Sequence, residues 1–172
     1  MKRIIAAALL ALYLAGAGGA RAASGSDRLL AVGGRAPDFT FTEVQSGGAM
    51  ALDNVGRGRP LLLVFLQTSC QSCARELQSL KDVRAAGAPI EVLGIFIDVT
   101  ARDFQKYVAD NALPFVFGWD SGNAIAEAYG VPFAPASFLL DRERKIAAVY
   151  RGFHPGIEQA LRADFARLAK GP

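Results

Sequence analysis

Leu61-Leu62-Leu63-Val64-Phe65-Leu66-Gln67-Thr68-Ser69-Cys70-Gln71-Ser72-Cys73 is the stretch that decides the fold. Its first six residues are apolar at every position. A strand buried on both faces reads that way, which means the middle of a sheet with helices on both sides. Its end holds the chain's two cysteines, three residues apart. Beyond them, Cys73, Leu77, Leu80 and Val83 fall near one face of a helix expected to run to about Ala86, with charge on the other face. A strand that empties into Cys-x-x-Cys at the start of a helix is the layout thiol–disulfide exchange needs. The thiolate is the reactive form, and the free N–H groups and dipole of a helix N-terminus favour negative charge. Cys70 is the expected entering nucleophile. Cys73, one turn on and near the same face, is the expected resolving thiol.

Outward from that stretch, Gly87-Ala88-Pro89 ends the helix and Ile90 to Ile97 reads as a second buried strand. Strand, helix and strand at this spacing form a right-handed crossover with parallel strands. Thr100 suits the cap of another helix with Phe104, Tyr107 and Val108 inward. Phe115 to Phe117 reads as a short strand, Trp119 as packing in the loop behind it, and Ala124 to Tyr129 as a short helix. Ser137 to Leu140 and Lys145 to Tyr150 are strands separated only by Asp141-Arg142-Glu143-Arg144. So short a connection holds no crossover helix, so the pair is an antiparallel hairpin. Pro155 suits the first turn of a last helix striped by Ile157, Leu161, Phe165 and Leu168. Upstream, Phe39 to Thr42 alternates as a short strand, followed by a turn at Ser46-Gly47-Gly48 and a loop at 56–60. The expected fold class is α/β: a central mixed sheet flanked by helices on both faces, with no internal repeat.

The first residues have another purpose. Lys2 and Arg3 precede an apolar run from Ile4 to Ala17, and Ala20-Arg21-Ala22 closes it. Basic start, short apolar middle and small-residue end make residues 1–22 an expected secretory signal peptide, with 23–35 a small, polar leader and 36–170 the single domain. The apolar run is shorter than the roughly 20 residues a membrane span needs. Left uncleaved, the segment would tether the domain to a membrane. Residues 1–22 hold three of the 19 basic residues and none of the 16 acidic ones, so the remainder is formally neutral. The chain's net charge of +3 therefore belongs to the targeting segment and gives no support to nucleic-acid or acidic-membrane binding.

An exported chain meets an oxidising compartment, where two cysteines can form a purely structural bridge. So short a loop is a poor staple, because closing it removes little unfolded-state entropy. Half of a zinc site is the other use of Cys-x-x-Cys, and it wants further Cys or His at ligand spacing. The chain supplies no third cysteine and a single histidine, His154, expected on the far side of the final hairpin in a helix-cap or surface role.

These elements, together with Val131-Pro132-Phe133-Ala134-Pro135-Ala136-Ser137-Phe138-Leu139-Leu140-Asp141, resemble the thioredoxin superfamily. Within it the chain is similar to the exported TlpA/ResA-like redoxins over roughly residues 33 to 168. Ala36-Pro37-Asp38-Phe39 is typical of the redoxin and peroxiredoxin branch. The resemblance implies a thioredoxin-like fold. It puts Pro135 at the family's cis-proline, which faces the cysteines and leaves the preceding backbone free to pair with a substrate strand. It puts Glu76 at the ResA-like glutamate three residues after the second cysteine, a carboxylate that could relay the proton Cys73 must lose; the alternative is an exposed helix Glu pairing with Arg75 or Lys81. Phe65 and Tyr129 read as core. Asp98, at a strand end where the family often has an acid, reads as capping the helix that begins at Thr100.

The chain also departs from the family. Ser69 and Leu66 stand where tryptophans are usual, the dipeptide Gln71-Ser72 carries no proline, and Gln78 replaces a helix proline. The surface beside Cys70 is therefore expected to be flatter and more polar. The resemblance implies a cell-envelope thiol–disulfide oxidoreductase, acting in the bacterial periplasm as a monomer and in the reducing direction. Oxidised exported proteins would be its substrates and a membrane thiol-donor protein its reductant. The redox-active Cys70–Cys73 pair would serve without a cofactor or metal. Two rivals remain. A peroxiredoxin-type thiol peroxidase needs Thr or Ser where Gln67 stands and Pro where Leu63 stands. A Sco-like copper-binding chaperone needs Cys-x-x-x-Cys and a His ahead of the Ser137 strand.

Overall fold

The computed structural model describes residues 29–97 and 100–170. The signal-peptide assignment and Asp98 lie outside them. The elements in chain order are β1 (Thr40–Glu43), β2 (Ala49–Ala51), a 3₁₀ turn (Leu52–Asn54), β3 (Leu61–Leu66), α1 (Gln71–Ala85), β4 (Glu91–Phe96), α2 (Ala101–Asp110), β5 (Val116–Trp119), α3 (Ala124–Ala128), β6 (Ala136–Leu140), β7 (Ile146–Arg151) and α4 (Ile157–Ala169). The seven strands form one mixed sheet in the order β2-β1-β5-β4-β3-β6-β7.

Strand β3 lies inside this sheet and has no exposed residue. It pairs parallel with β4, Leu66 opposite Phe96, and antiparallel with β6, Phe65 opposite Ala136. Because side chains alternate across a strand, Leu62, Val64 and Leu66 enter one core and Leu61, Leu63 and Phe65 the other. The first core is closed by α1, α2 and α4 through Leu77, Leu80, Phe104, Ile157, Leu161 and Phe165. The second is closed by the short α3, the 3₁₀ turn and the chain before β1. Phe65 and Tyr129 are fully buried there, with ring centroids 5.4 Å apart.

The sheet holds one crossover more than the sequence reading expected. Strand β5 pairs parallel with β4, so β3-α1-β4 and β4-α2-β5 are successive crossovers stepping the same way along the sheet. Equal handedness in equal steps puts both helices on one face. Trp119, expected in a loop, is the last residue of β5 and pairs with Phe96 and Thr42. Gly118, also within β5, is a packing necessity, since a Cβ there would collide with the Phe41 ring. Strand β2, paired antiparallel with β1, was not anticipated either.

Two further expectations change. Residues 29–35, assigned to a leader, belong to the fold in the structure: Leu29 is buried, Leu30 N–H donates to Tyr129 O at 3.2 Å, and Arg35 bridges to Lys145. The two leucines of an otherwise small and polar stretch fill the surface above α3. Pro155 is not in the first turn of α4; Gly156, at φ 90°, is the N-cap and turns the chain into the helix one residue later. Arg144, in the connection between the last two strands, is buried. Its guanidinium donates to Val55 O at 2.5 Å and lies 3.5 Å from the Asp53 carboxylate, tying the β6–β7 turn to the loop ahead of β3.

Tight packing between β4 and β5 is directly testable. A Cβ on Gly94 would approach the Phe117 ring to 2.5 Å. Gly94→Ala is expected to lower stability by about 1–3 kcal/mol, the usual range for overpacking a core. The change should appear as a lower urea midpoint at unchanged slope; an unaltered midpoint would contradict this account of the strand pair.

Candidate active site

The site begins where β3 ends. Gln67-Thr68-Ser69 turn the chain, closed by Cys70 N–H donating to Gln67 O at 3.3 Å, and Cys70 becomes the N-cap of α1. Its backbone is extended, at φ −88° and ψ 106°, as an N-cap requires. No Ser, Thr, Asp or Asn does the capping; the Cys70 sulfur itself accepts the Cys73 N–H at 3.1 Å. A group that accepts this bond gains more from it when it is negative. The first turn of α1 carries no acidic side chain, so the positive end of the helix is left to the sulfur. Ser72 Oγ stands 3.4 Å from the same sulfur.

Cys70 and Cys73 are joined as a disulfide with Cα atoms 5.2 Å apart. The pair is asymmetric: Cys70 is half-buried and Cys73 is 1% exposed. An external sulfur can reach the first and not the second. That difference in exposure fits Cys70 as the sulfur an external thiol meets first, as the spacing suggested.

The second wall of the site comes from far along the chain. The Ala134–Pro135 peptide bond is cis, and Ala134 O lies 3.7 Å from Cys70 Sγ. Pro135 is held by Gly152 N–H donating to its carbonyl at 2.9 Å, just beyond the Ala136–Arg151 pair of β6 and β7. Because β6 runs antiparallel to β3 with Ala136 opposite Phe65, the chain ahead of β6 emerges at the end of the sheet where β3 releases the cysteines.

Glu76 is buried, at 1% exposure, on the face of α1 that carries Cys73. The exposed, ion-paired alternative for it therefore falls. Ser137 Oγ donates a short hydrogen bond to Glu76 Oε1, joining β6 to the cysteine helix two residues after the cis-proline. Burial holds the Glu76 carboxyl above the ordinary carboxylate range; the Ser137 hydrogen bond and the charge of His154 pull the other way and do not cancel it. Glu43 makes the contrast instructive. Burial pushes its carboxyl up as well, yet hydrogen bonds from Ser46 and from the backbone N–H groups of Gln45 and Ser46, at 3.0 and 2.7 Å, bring the net shift down. Glu43 is thus a fixed anion closing the turn after β1. Glu76, with fewer donors, keeps its carboxyl raised.

The structure therefore brings Cys70, Cys73, Glu76 and Pro135 to one end of the sheet. Ser137 was missed in the sequence, where its one signal was a hydroxyl in an otherwise apolar strand two residues after Pro135. His154 lies nearer than expected. Strand β7 runs back alongside β6, so the loop at 152–156 returns to the cysteine end, and the charge of His154 reaches Glu76 although the side chain is exposed. Its ring Nδ1 sits 3.1 Å from Pro155 O. Among the described residues no cluster of His, Cys, Asp and Glu is arranged to hold a metal ion.

Comparison with known proteins agrees with this geometry. The family model for the AhpC/TSA family matches residues 32–149. The thiol-disulfide oxidoreductase ResA of Bacillus cereus is 26% identical over 155 residues, covering 87% of this chain and 88% of that protein. A crystal structure assigned as the thiol:disulfide interchange protein DsbE of Chlorobium tepidum superposes with a TM-score of 0.73 at 26% identity, over 81% of this chain and 98% of the other. A secreted disulfide oxidoreductase of Mycobacterium tuberculosis, homologous to DsbE of E. coli, gives 0.64 at 25% identity, over 76% and 96%.

The raised Glu76 carboxyl has a consequence for stability. Between the ordinary carboxylate pKa and the raised one, the native state binds more protons at this site than the unfolded chain does. Its contribution is therefore complete below the ordinary value and is lost as pH rises through the raised one. Glu76→Gln removes the titration and keeps an acceptor for Ser137. In the oxidised protein, wild type is expected to lose stability relative to Glu76→Gln as pH rises from about 4 to about 8. Urea unfolding across that range checks it, and a pH-independent difference would count against a raised Glu76.

Proposed function

The chain belongs to the AhpC/TSA family and is a thiol–disulfide oxidoreductase of the ResA-like, thioredoxin-fold kind, and we propose that it is a cell-envelope reductase of disulfides in exported proteins. The observation that carries the proposal is the asymmetric cysteine pair capping α1, with Glu76 buried one turn beyond Cys73. In the reducing direction, the Cys70 thiolate attacks one sulfur of a substrate disulfide. The substrate S–S bond breaks, its other sulfur leaves as a thiolate, and Cys70 is held in a mixed disulfide. Glu76 accepts the proton of Cys73, whose thiolate then attacks Cys70 Sγ and expels the second substrate thiolate. Two electrons have passed to the substrate, and the Cys70–Cys73 disulfide remains. Pro135 shapes the wall against which the substrate backbone lies.

The redox carrier in this proposal is the dithiol itself, with no separate cofactor or metal. An exposed dithiol outside the cytosol stays reduced only if something re-reduces it, so a membrane thiol-donor protein is the proposed electron source. The proposed setting is the bacterial periplasm, reached by means of residues 1–22, with the protein acting as a monomer. The Mycobacterium tuberculosis relative, a secreted disulfide oxidoreductase, supports that setting. Among the described residues no helix is long and apolar enough to cross a membrane. The peroxidase alternative is disfavoured by Leu63, which is fully buried in β3 between Leu93 and Phe138 where that chemistry needs a proline.

Parallel reaction of the purified protein with insulin disulfides, hydrogen peroxide and Cu(I) tests this reading. Disulfide turnover should be lost in Cys70→Ala, while Cys73→Ala should accumulate the mixed disulfide. Glu76→Gln should slow turnover at neutral pH by about a hundredfold, at the modest end of what general acid–base catalysis supplies. Peroxide consumption without disulfide turnover would overturn the assignment. The dithiol potential reports direction: near or below about −250 mV for a reductant, near about −120 mV for an oxidant.

A further inference from the structure

Where α1 and α4 meet, the protein carries an open cleft of about 460 Å³ that no step of the disulfide chemistry uses. Ser79 of α1, the loop from Phe153 to Gly156 and the first turns of α4 line it. Neither cysteine nor Pro135 lies on its wall. Its volume falls within the roughly 300–1,000 Å³ that small-molecule sites occupy.

Two independent features of the wall leave donors without a partner. The first is the start of α4. Gly156, its N-cap, has no side chain to close the helix. Ile157 N–H donates to His154 O at 3.2 Å and Ala160 N–H to Gly156 O at 3.1 Å. Between them, the N–H groups of Glu158 and Gln159 donate to no protein acceptor among the described residues. Free donors at the positive end of a helix favour an anion. The second is Ser79, on the α1 side of the cleft. It is 7% exposed, and among the described residues its hydroxyl is bonded to no protein group. Every sealed side-chain polar atom among those residues has a partner, so the unbonded hydroxyl opens into the cleft. A buried hydroxyl is normally bonded, and the cleft is the place left for its partner. Arg162, half-buried one turn on from Glu158, adds a positive charge that pairs with no carboxylate among the described residues. Glu158 is the acidic group on the wall and acts against an anion. Phe153 and Pro155 supply carbon surface, and a bare inorganic oxyanion would leave most of the volume unfilled.

We propose that this cleft is a binding site for a small organic carboxylate with an apolar body. The carboxylate oxygens accept from the Glu158 and Gln159 N–H groups and from the Ser79 hydroxyl. Arg162 supplies the opposite charge, and Phe153 and Pro155 cover the carbon chain. The site is separate from the disulfide and does not depend on the oxidoreductase reading. Its occupant lies beside His154, whose charge reaches Glu76. An anion there opposes that charge, so occupancy is felt at the buried carboxyl without contact with either sulfur.

Titration of the isotope-labelled, oxidised protein with hexanoate, hexanol and sulfate, followed by nuclear magnetic resonance, provides the test. Hexanoate is expected to move the backbone amide signals of Ser79, Glu158 and Gln159 along a saturating curve. Hexanol and sulfate should each bind at least about tenfold more weakly. Arg162→Gln should weaken hexanoate about tenfold, the loss of one charge-assisted hydrogen bond. Glu158→Gln should tighten it about threefold by removing the opposing charge. Both side chains lie outside the core, and amide signals elsewhere in the spectrum check that each variant is folded. Shifts that rise without saturating, an equal response to hexanol, or an affinity untouched by both substitutions would overturn the site. Sulfate binding as tightly as hexanoate would overturn the apolar body of the ligand. Disulfide turnover is no part of this readout, so any of these failures leaves the oxidoreductase reading standing.

Discussion

Strand β3 has neither a solvent-facing side nor a free edge, and the site depends on that confinement. Leu61 to Leu66 are fully buried, with β4 on one side, β6 on the other and a hydrophobic core against each face. A shift of one residue in its register would exchange the side chains of the two cores. Strand β3 is therefore held in one position, and Cys70, four residues past its end, is delivered to a fixed point at the head of α1. The sulfur then completes the helix by accepting the Cys73 N–H, so the bond that caps the helix also holds that sulfur in place.

The antiparallel turn of the sheet at β6 brings the rest of the site to that point. Parallel β3, β4 and β5 all release their C-terminal ends toward the cysteines, whereas β6 starts there and β7 finishes there. Three loops distant in sequence, after β3, before β6 and after β7, consequently crowd one end. The Ser137–Glu76 bond and the Gly152–Pro135 bond fasten them to one another. Burial of a carboxyl at that junction would be costly if it had to stay charged. The upward shift at Glu76 relieves the cost by favouring the neutral form.

The surface over this machinery is distributed differently from what the cysteine loop alone conveys. Gln67, Thr68, Ser69, Gln71 and Ser72 make the Cys70 side polar, while Phe133 and its flanking prolines make the opposite wall apolar and stiff.

Much of this was legible in the residues. The buried strand, the Cys-x-x-Cys at the head of a helix, the first crossover and the closing hairpin were each written in local apolar pattern and connection length. The pairing of Pro135 with the cysteines and the place of Glu76 were legible through family resemblance. What the residues could not show was anything that depended on how strands register with partners distant in sequence. The parallel pairing of β5, the membership of Trp119 in a strand, the burial of Arg144 and the approach of His154 to Glu76 all follow from the sheet order and from where β6 and β7 begin and end. Ser137 is the sharpest instance. A hydroxyl in an apolar strand carries no address of its own, and only the antiparallel packing of β6 beside β3, beneath α1, set it against the buried carboxyl of Glu76.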